Sequence, residues 1–211
     1  MSMHYVQYGC GLSAPTGWEN FDASPTLRLQ NLPVLGAIFK KNSSTVFPDA
    51  VKYGDIIKGL PILENSCNAA YCSHTLEHLS FEDCGIALRN TYKILKPGGI
   101  FRCVVPDLES AARKYINSID LQNADAGNVF IRQTLLGLEK RPRGLKNLLI
   151  SYFGNAQHLW MWDKYSLAIE LKNAGFSSVR NCVFNDSKDP QFKLVEDKGR
   201  FNDAIALEAI K

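Results

Sequence analysis

Short apolar runs alternate with longer segments of helical period along most of this chain. Strand-like runs fall at Tyr5–Tyr8, Glu19–Asp22, Val51–Tyr53, Ala69–Ser73, Ile100–Val105, Ser178–Phe184 and Ala204–Ile210. The clearest helix begins at Ser80, which forms a capping-box-like pair with Asp83. Cys84, Ala87, Leu88, Thr91 and Leu95 follow on one face, and Pro97, Gly98 and Gly99 stop the helix and open the next strand. A second helix starts near Asp107, an N-cap candidate, with Leu108, Ala111, Ala112, Tyr115, Ile116 and Ile119 on one side. A third runs from about Asp163 to Ala174 and ends at Gly175. This alternation predicts an α/β fold with a mostly parallel sheet covered on both faces. The polar stretch from Asn185 to Asn202 has no helical period. The last two strands are therefore expected to pair as an antiparallel ribbon.

Two segments interrupt the pattern. Thr26 to Asn42 holds a short apolar stretch, and Asn117 to Asn155 carries weak helical patterns around Val129–Leu138 and Leu145–Phe153. The basic run Lys140 to Lys146 lies between those two. With no repeats and no linker, the 211 residues are expected to form a single domain over 1–211, with a helical insertion at about 117–155.

Composition narrows the class only a little. The chain is 45% apolar and 21% charged, with a formal net charge of +3, too small to argue for nucleic acid. No apolar run approaches the ~18 residues that span a bilayer, and with the first strand so close to Met1 no signal peptide is expected. The six cysteines form no Cys-x-x-Cys pair and no Cys/His zinc spacing, so reduced thiols, no metal and a cytoplasmic location are expected.

The candidate chemistry begins at the N-terminus. An apolar strand leads into the turn Gly9-Cys10-Gly11, and Asp22 closes the next short strand. Glycine lets a ligand approach the main chain, and a carboxylate can accept from both hydroxyls of a ribose. Ten residues separate Gly11 from Asp22, against the ~20 of the dinucleotide fingerprint, and its third glycine is missing. No full crossover helix fits in that interval.

Together with Tyr53-Gly54-Asp55-Ile56, Ser73-His74-Thr75-Leu76-Glu77-His78-Leu79 and Leu95-Lys96-Pro97-Gly98-Gly99, these residues resemble class I methyltransferases that use S-adenosylmethionine. The chain looks most like a bacterial subgroup linked to sugar and cell-surface polysaccharide metabolism, in which a Gly-Trp-x-Asn-x-Asp run closely follows the glycine turn. A segment like His158 to Asp163 also recurs there. The resemblance implies a Rossmann-like, doubly wound, mostly parallel seven-stranded sheet with an antiparallel C-terminal strand and a shortened first crossover. It implies S-adenosylmethionine at the carboxyl ends of the strands: Gly9, Cys10 and Gly11 along the methionine and ribose, Asp22 on the ribose hydroxyls, Asp55 on the adenine amino group, Ile56 near the ring, and Ser73 and His74 beside the methionine. Gln7 stands where an acidic residue often precedes the first glycine, so another acceptor is expected for the cofactor's amino group.

The reaction such a site supports is methyl transfer, expected here to the oxygen of a sugar, nucleotide sugar or other small polar metabolite. A hydroxyl acceptor benefits from a base, and imidazole titrates near neutrality. His74 and His158 are the catalytic candidates, with Glu77 and Asp107 behind them. Asp107, Trp160 and Trp162 are candidates for the acceptor pocket, since indole faces pack well on sugar rings. His78 reads equally well as a packing residue and as a site residue. The basic run suits the phosphates of a nucleotide-linked acceptor. The alternative is a scaffold protein that keeps the fold and binds the cofactor without turnover.

Overall fold

The computed structural model describes residues 3–33, 36, 41, 46–141 and 157–211. The chain forms β1 (Tyr5–Tyr8), β2 (Glu19–Asp22), α1 (Pro25–Gln30), β3 (Val51–Tyr53) and β4 (Cys67–Ser73). A 3₁₀ turn (Leu76–His78) then precedes α2 (Phe81–Ile94), β5 (Leu95–Pro106), α3 (Leu108–Asp120) and α4 (Ala126–Gln133). After the undescribed stretch 142–156 come α5 (Lys164–Asn173), β6 (Ser178–Asn181) and β7 (Ala204–Ile210). The described strands form one seven-stranded sheet in the order β3-β2-β1-β4-β5-β7-β6. The first five pair in parallel, while β7 runs antiparallel to both β5 and β6. The expected ribbon of the last two strands is therefore present, and the sheet is mixed.

Side-chain alternation along the strands separates two cores. Val6, Tyr8, Ala70, Cys72, Phe101 and Cys103 share one face with Leu88 of α2 and Leu171 of α5. Tyr5, Ala69, Tyr71 and Val104 face the other way and meet Trp18, Phe192 and Val195. No helix occupies the ten positions between β1 and β2 that link the parallel pair. A parallel crossover normally needs a dozen or more residues and a helix. Here the connection between β6 and β7 folds back over the exposed face instead. Its two 3₁₀ turns, Pro190–Leu194 and Lys198–Phe201, seat Phe192 against Trp18 and Tyr71. The sheet is thus covered on both faces, but the cover on this patch is loop rather than helix.

The same face explains several polar residues inside the sheet. Arg102 of β5 is 1% exposed and pairs with Asp186 at 2.9 Å, Glu196 at 2.7 Å and Glu208 at 2.8 Å. It also donates to the Val183 carbonyl and lies over the Phe192 ring. One guanidinium thereby ties β5, β7 and the late connection together.

Most element ends follow local signals. The Ser80 side chain accepts from Asp83 N, and Asp163 forms a full capping box with Ser166 at the start of α5. Leu95 already pairs with Cys67, and the register shift between Cys67 and Ala69 takes up Lys96 to Gly99 as a bulge. Pro97-Gly98-Gly99 thus interrupts a strand that has begun, rather than opening it. β6 ends at Asn181, because Phe184 leaves the strand direction to pack edge-on against Phe201. The apolar side of α3 leaves Ile116 and Ile119 exposed, with Tyr115 packing on Phe130 of α4. The helix expected around Val129–Leu138 is α4, shifted toward the N-terminus. The Leu145–Phe153 pattern, most of the basic run and part of the apolar stretch before Asn42 lie outside the described residues.

Candidate functional site

A cavity of about 500 Å³ opens at the carboxyl ends of β1 and β4. That volume suits a small-molecule ligand, and the strand ends are where open sheets place theirs. One wall is the β1–β2 turn, Gly9 to Ser13, together with Tyr71 and Ser73 of β4. The opposite wall comes from the β6–β7 connection: Leu194, Val195, Glu196, Asp197 and Arg200.

Both glycines of the turn are in the left-handed region, at φ +60° and +54°, which favours glycine. A β-carbon at Gly9 would strike the Thr75 side chain, whereas one at Gly11 would meet open space. Gln7 fastens the turn from beneath, donating to Ser13 O at 2.9 Å and to Asn20 Oδ1 at 2.5 Å. Burial, with the Asp22 charge behind it, pushes the Cys10 thiol up to about 12, so the cavity meets a neutral thiol.

The structure gathers Gly9, Cys10, Gly11 and Ser73 around this cavity and leaves the other expected cofactor residues outside its lining. Asp22 sits at the adjacent strand end, where it accepts from Gly11 N at 2.9 Å and Ser24 N at 2.8 Å. It first of all holds the turn's shape. Asp55 accepts from Ile57 N and lies 3.5 Å from Lys58 Nζ. Ile56 belongs to the main core beside Leu60 and Phe21. His74 adopts φ +52° and hydrogen-bonds the Arg200 carbonyl through Nε2 at 2.9 Å, which joins it to the far wall.

Beyond β4 a second group converges on Glu77. Its carboxylate is 1% exposed, and neither oxygen has a hydrogen-bond partner. Burial pushes it up to about 8. His74 Nδ1 lies 3.5 Å from Oε1 and His78 Nε2 lies 4.0 Å from it. His158 reaches the same place from far downstream in the sequence, because Leu159 N and Trp160 N both donate to the Glu77 carbonyl. The His78 and His158 rings meet edge to face at 5.0 Å. Burial holds His74 and His158 below the usual imidazole range, so both are neutral near pH 7.

The two indoles divide. Trp160 is 44% exposed beside Phe81, at 5.1 Å between rings, and this pair offers an aromatic surface next to the histidines. Trp162 is 1% exposed and belongs to the core, so the expectation that it contacts the acceptor is corrected. Asp107 caps α3 by accepting from Glu109 N and forms a bridge with Trp162. It takes no part in the cavity lining. Sequence reasoning did not single out Tyr71, Glu196, Asp197 or Arg200. The apolar residues Phe192, Leu194 and Val195 inside an otherwise polar stretch were the available signal that it folds onto the sheet.

Family comparison agrees with this architecture. Residues 14–181 match the model of a methyltransferase domain family, and the chain belongs to that family. It has the fold of the class I methyltransferases, whose cofactor is S-adenosylmethionine. Among solved structures, a S-adenosylmethionine-dependent methyltransferase of Thermotoga maritima, described as a possible histamine N-methyltransferase, aligns at TM-score 0.50. It shares 18% identity, over 99% of this chain and 82% of that one. One from Archaeoglobus fulgidus aligns at TM-score 0.50 and 15% identity, over 99% and 86% of the two chains. Among curated proteins, an uncharacterized protein of Saccharomyces cerevisiae is 24% identical over 192 residues. The match takes in 86% of this chain but spans only about a fifth, 21%, of that relative's length.

The cavity fits the family's cofactor. Its wall carries two buried hydroxyl oxygens without partners, on Tyr71 and Ser73. An acidic and a basic residue, Asp197 and Arg200, line the cavity across from the glycine turn. Such a pairing of signs matches the ammonium and carboxylate of an amino acid.

Proposed function

We propose that this protein transfers a methyl group from S-adenosylmethionine to a hydroxyl oxygen of a sugar, nucleotide sugar or similar small polar acceptor. Bound in the cavity, S-adenosylmethionine supplies a methyl group made electrophilic by its sulfonium. The chain's own residues do the rest. Gly9 to Gly11 present main chain to the methionine and ribose. Asp22 keeps lone pairs beyond the two it gives to amides, and the ribose hydroxyls share them. Asp55 takes the adenine edge from the neighbouring strand. Arg200 takes the carboxylate, while Asp197 supplies the negative charge that Gln7 lacks. The acceptor packs on the exposed Trp160 and Phe81 rings, which fix its approach to the methyl group. Alignment of this kind can remove about 7–11 kcal/mol of a bimolecular barrier in favourable cases.

The observation that carries this reading is the bridging position of His74. One ring nitrogen is tied to the Arg200 carbonyl in the cavity wall, and the other faces Glu77 beside the aromatic surface. With Nε2–H donating, Nδ1 holds the lone pair and takes the hydroxyl proton as the new bond forms. His158, buried against the same carboxylate, is the second candidate.

Two measurements test the proposal. Calorimetry should show S-adenosylmethionine binding to the wild type and at least tenfold weaker binding to Asp22→Ala. Mass spectrometry over a panel of sugars and nucleotide sugars should find a product heavier by one methylene. Unaltered affinity in Asp22→Ala would remove the assigned site. Binding without product on any acceptor would favour a non-catalytic scaffold.

A further inference from the structure

We propose that Glu77, His78 and His158 bind a divalent transition-metal cation, with zinc the best match. The donor atoms of these three residues all lie within 4.8 Å of one another, the group among the described residues that could hold a metal ion. Coordination bonds of ~2.0–2.2 Å place two ligands of one ion up to about 4 Å apart. Drawing the three side chains inward by about an ångström would therefore complete the set.

Burial and hydrogen bonding point the same way. His78 Nδ1 is 2.8 Å from the Gln157 carbonyl, so that nitrogen carries the proton and Nε2 presents its lone pair toward Glu77. His158 Nδ1 is buried without a partner, and so are both Glu77 oxygens. Three buried polar atoms thus converge on a small volume without a hydrogen-bond partner among the described residues. Buried polar atoms are rarely left in that state. A cation resolves all of these contacts at once. The hydrogen bond on His78 is also the usual outer support of a metal-bound imidazole. Two imidazoles and one carboxylate suit zinc and other late first-row metals rather than magnesium or calcium, which prefer oxygen donors.

Sequence spacing gave no hint of such a site, because its third ligand arrives from the far side of the insertion. Three protein ligands leave a coordination position open. The proposal rests on the methyltransferase reading for what fills it: an acceptor oxygen, whose hydroxyl a cation's field makes more acidic. His74 stands outside the set of three and remains free to take the proton.

The test is direct metal binding by the full chain. Purified protein, stripped with chelator and then incubated with Zn²⁺, should retain about one equivalent after desalting. Co²⁺ should give visible absorption bands of a low-symmetry nitrogen and oxygen site. His158→Ala and Glu77→Gln should each weaken Co²⁺ binding at least tenfold, with circular dichroism showing whether each variant remains folded. Should Glu77→Gln fail to fold, the His158→Ala result decides. Retention of no metal by the wild type, or Co²⁺ binding unchanged in a folded His158→Ala variant, would overturn the site. S-adenosylmethionine calorimetry on the same samples separates the two readings. Cofactor binding without metal rejects only the cation, and metal binding without cofactor rejects only the methyltransferase assignment.

Discussion

Gln7 shows how a single departure from a motif acquires a structural reason. Its amide supplies the donors that Ser13 O and Asn20 Oδ1 need. A carboxylate there would oppose acceptors with acceptors. Negative charge for the cofactor must then come from elsewhere, and exposed Asp197 lies across the cavity. Arg200, on the same wall, gives the sharpest residue-scale prediction. Its side chain is exposed, so removing it should leave folding intact. A lost charge-assisted hydrogen bond costs about 1.5–3 kcal/mol, so Arg200→Ala should bind S-adenosylmethionine roughly ten- to hundredfold more weakly by calorimetry. A response by S-adenosylmethionine alone, with adenosine binding unchanged, would place the contact on the methionine end. Of the residues that local pattern singled out, the glycine turn and Ser73 line the cavity. Trp162 misled because a residue type suited to sugar binding is equally suited to a core, and only burial in the folded chain separates it from Trp160, since both indoles pack on Phe81.

Among the elements, the β6–β7 connection carries the most. Pattern reading assigned it no structure, since its hydrogen bonds are local turns and its apolar residues follow no period. Long-range contacts organise it instead, with Arg102 at the centre. Removing one partner of a buried ion pair typically costs about 3–5 kcal/mol. Arg102→Ala should lower the free energy of unfolding by that order in urea titration, leaving Glu196 and Glu208 close together without their counter-charge. The regular elements were read more closely. β1, β2, β3 and β7 have the bounds their sequence suggested, and α2 begins at its cap. Those bounds depend on neighbours in sequence. The end of β6 and the bulge after Leu95 depend on neighbours in space.

Across the whole molecule the seven-stranded, mostly parallel sheet was implied by family resemblance rather than by any local signal, and its mixed edge follows from the ribbon. Stability of the whole should carry an acid signature from the ionic cluster. Burial would raise the Asp186 carboxyl, but hydrogen bonds from Arg180 and Arg102 outweigh it and bring the group down to about 2. A carboxyl held below its unfolded value stabilises the fold above the ordinary carboxylate range and loses that contribution as pH falls through the folded value. Glu196 faces the same guanidinium but is raised by burial, so its linkage has the opposite sign and favours the fold at lower pH. Below about pH 4 the Asp186 effect should govern. Thermal melts from pH 6 to pH 2 should show wild type and Asp186→Asn converging as the acid limit is approached. A constant gap between them would remove Asp186 from the account.

The late connection that roofs the first turn also sets an order of events. One wall of the cavity comes from Gly9 to Ser13 and the other from residues nearly two hundred positions further along, so a nascent chain holds only half of the grip on its cofactor until the β6–β7 connection has emerged. Ligand capture should accordingly report completion of the fold, arriving in a refolding experiment with the slowest productive phase rather than with early collapse.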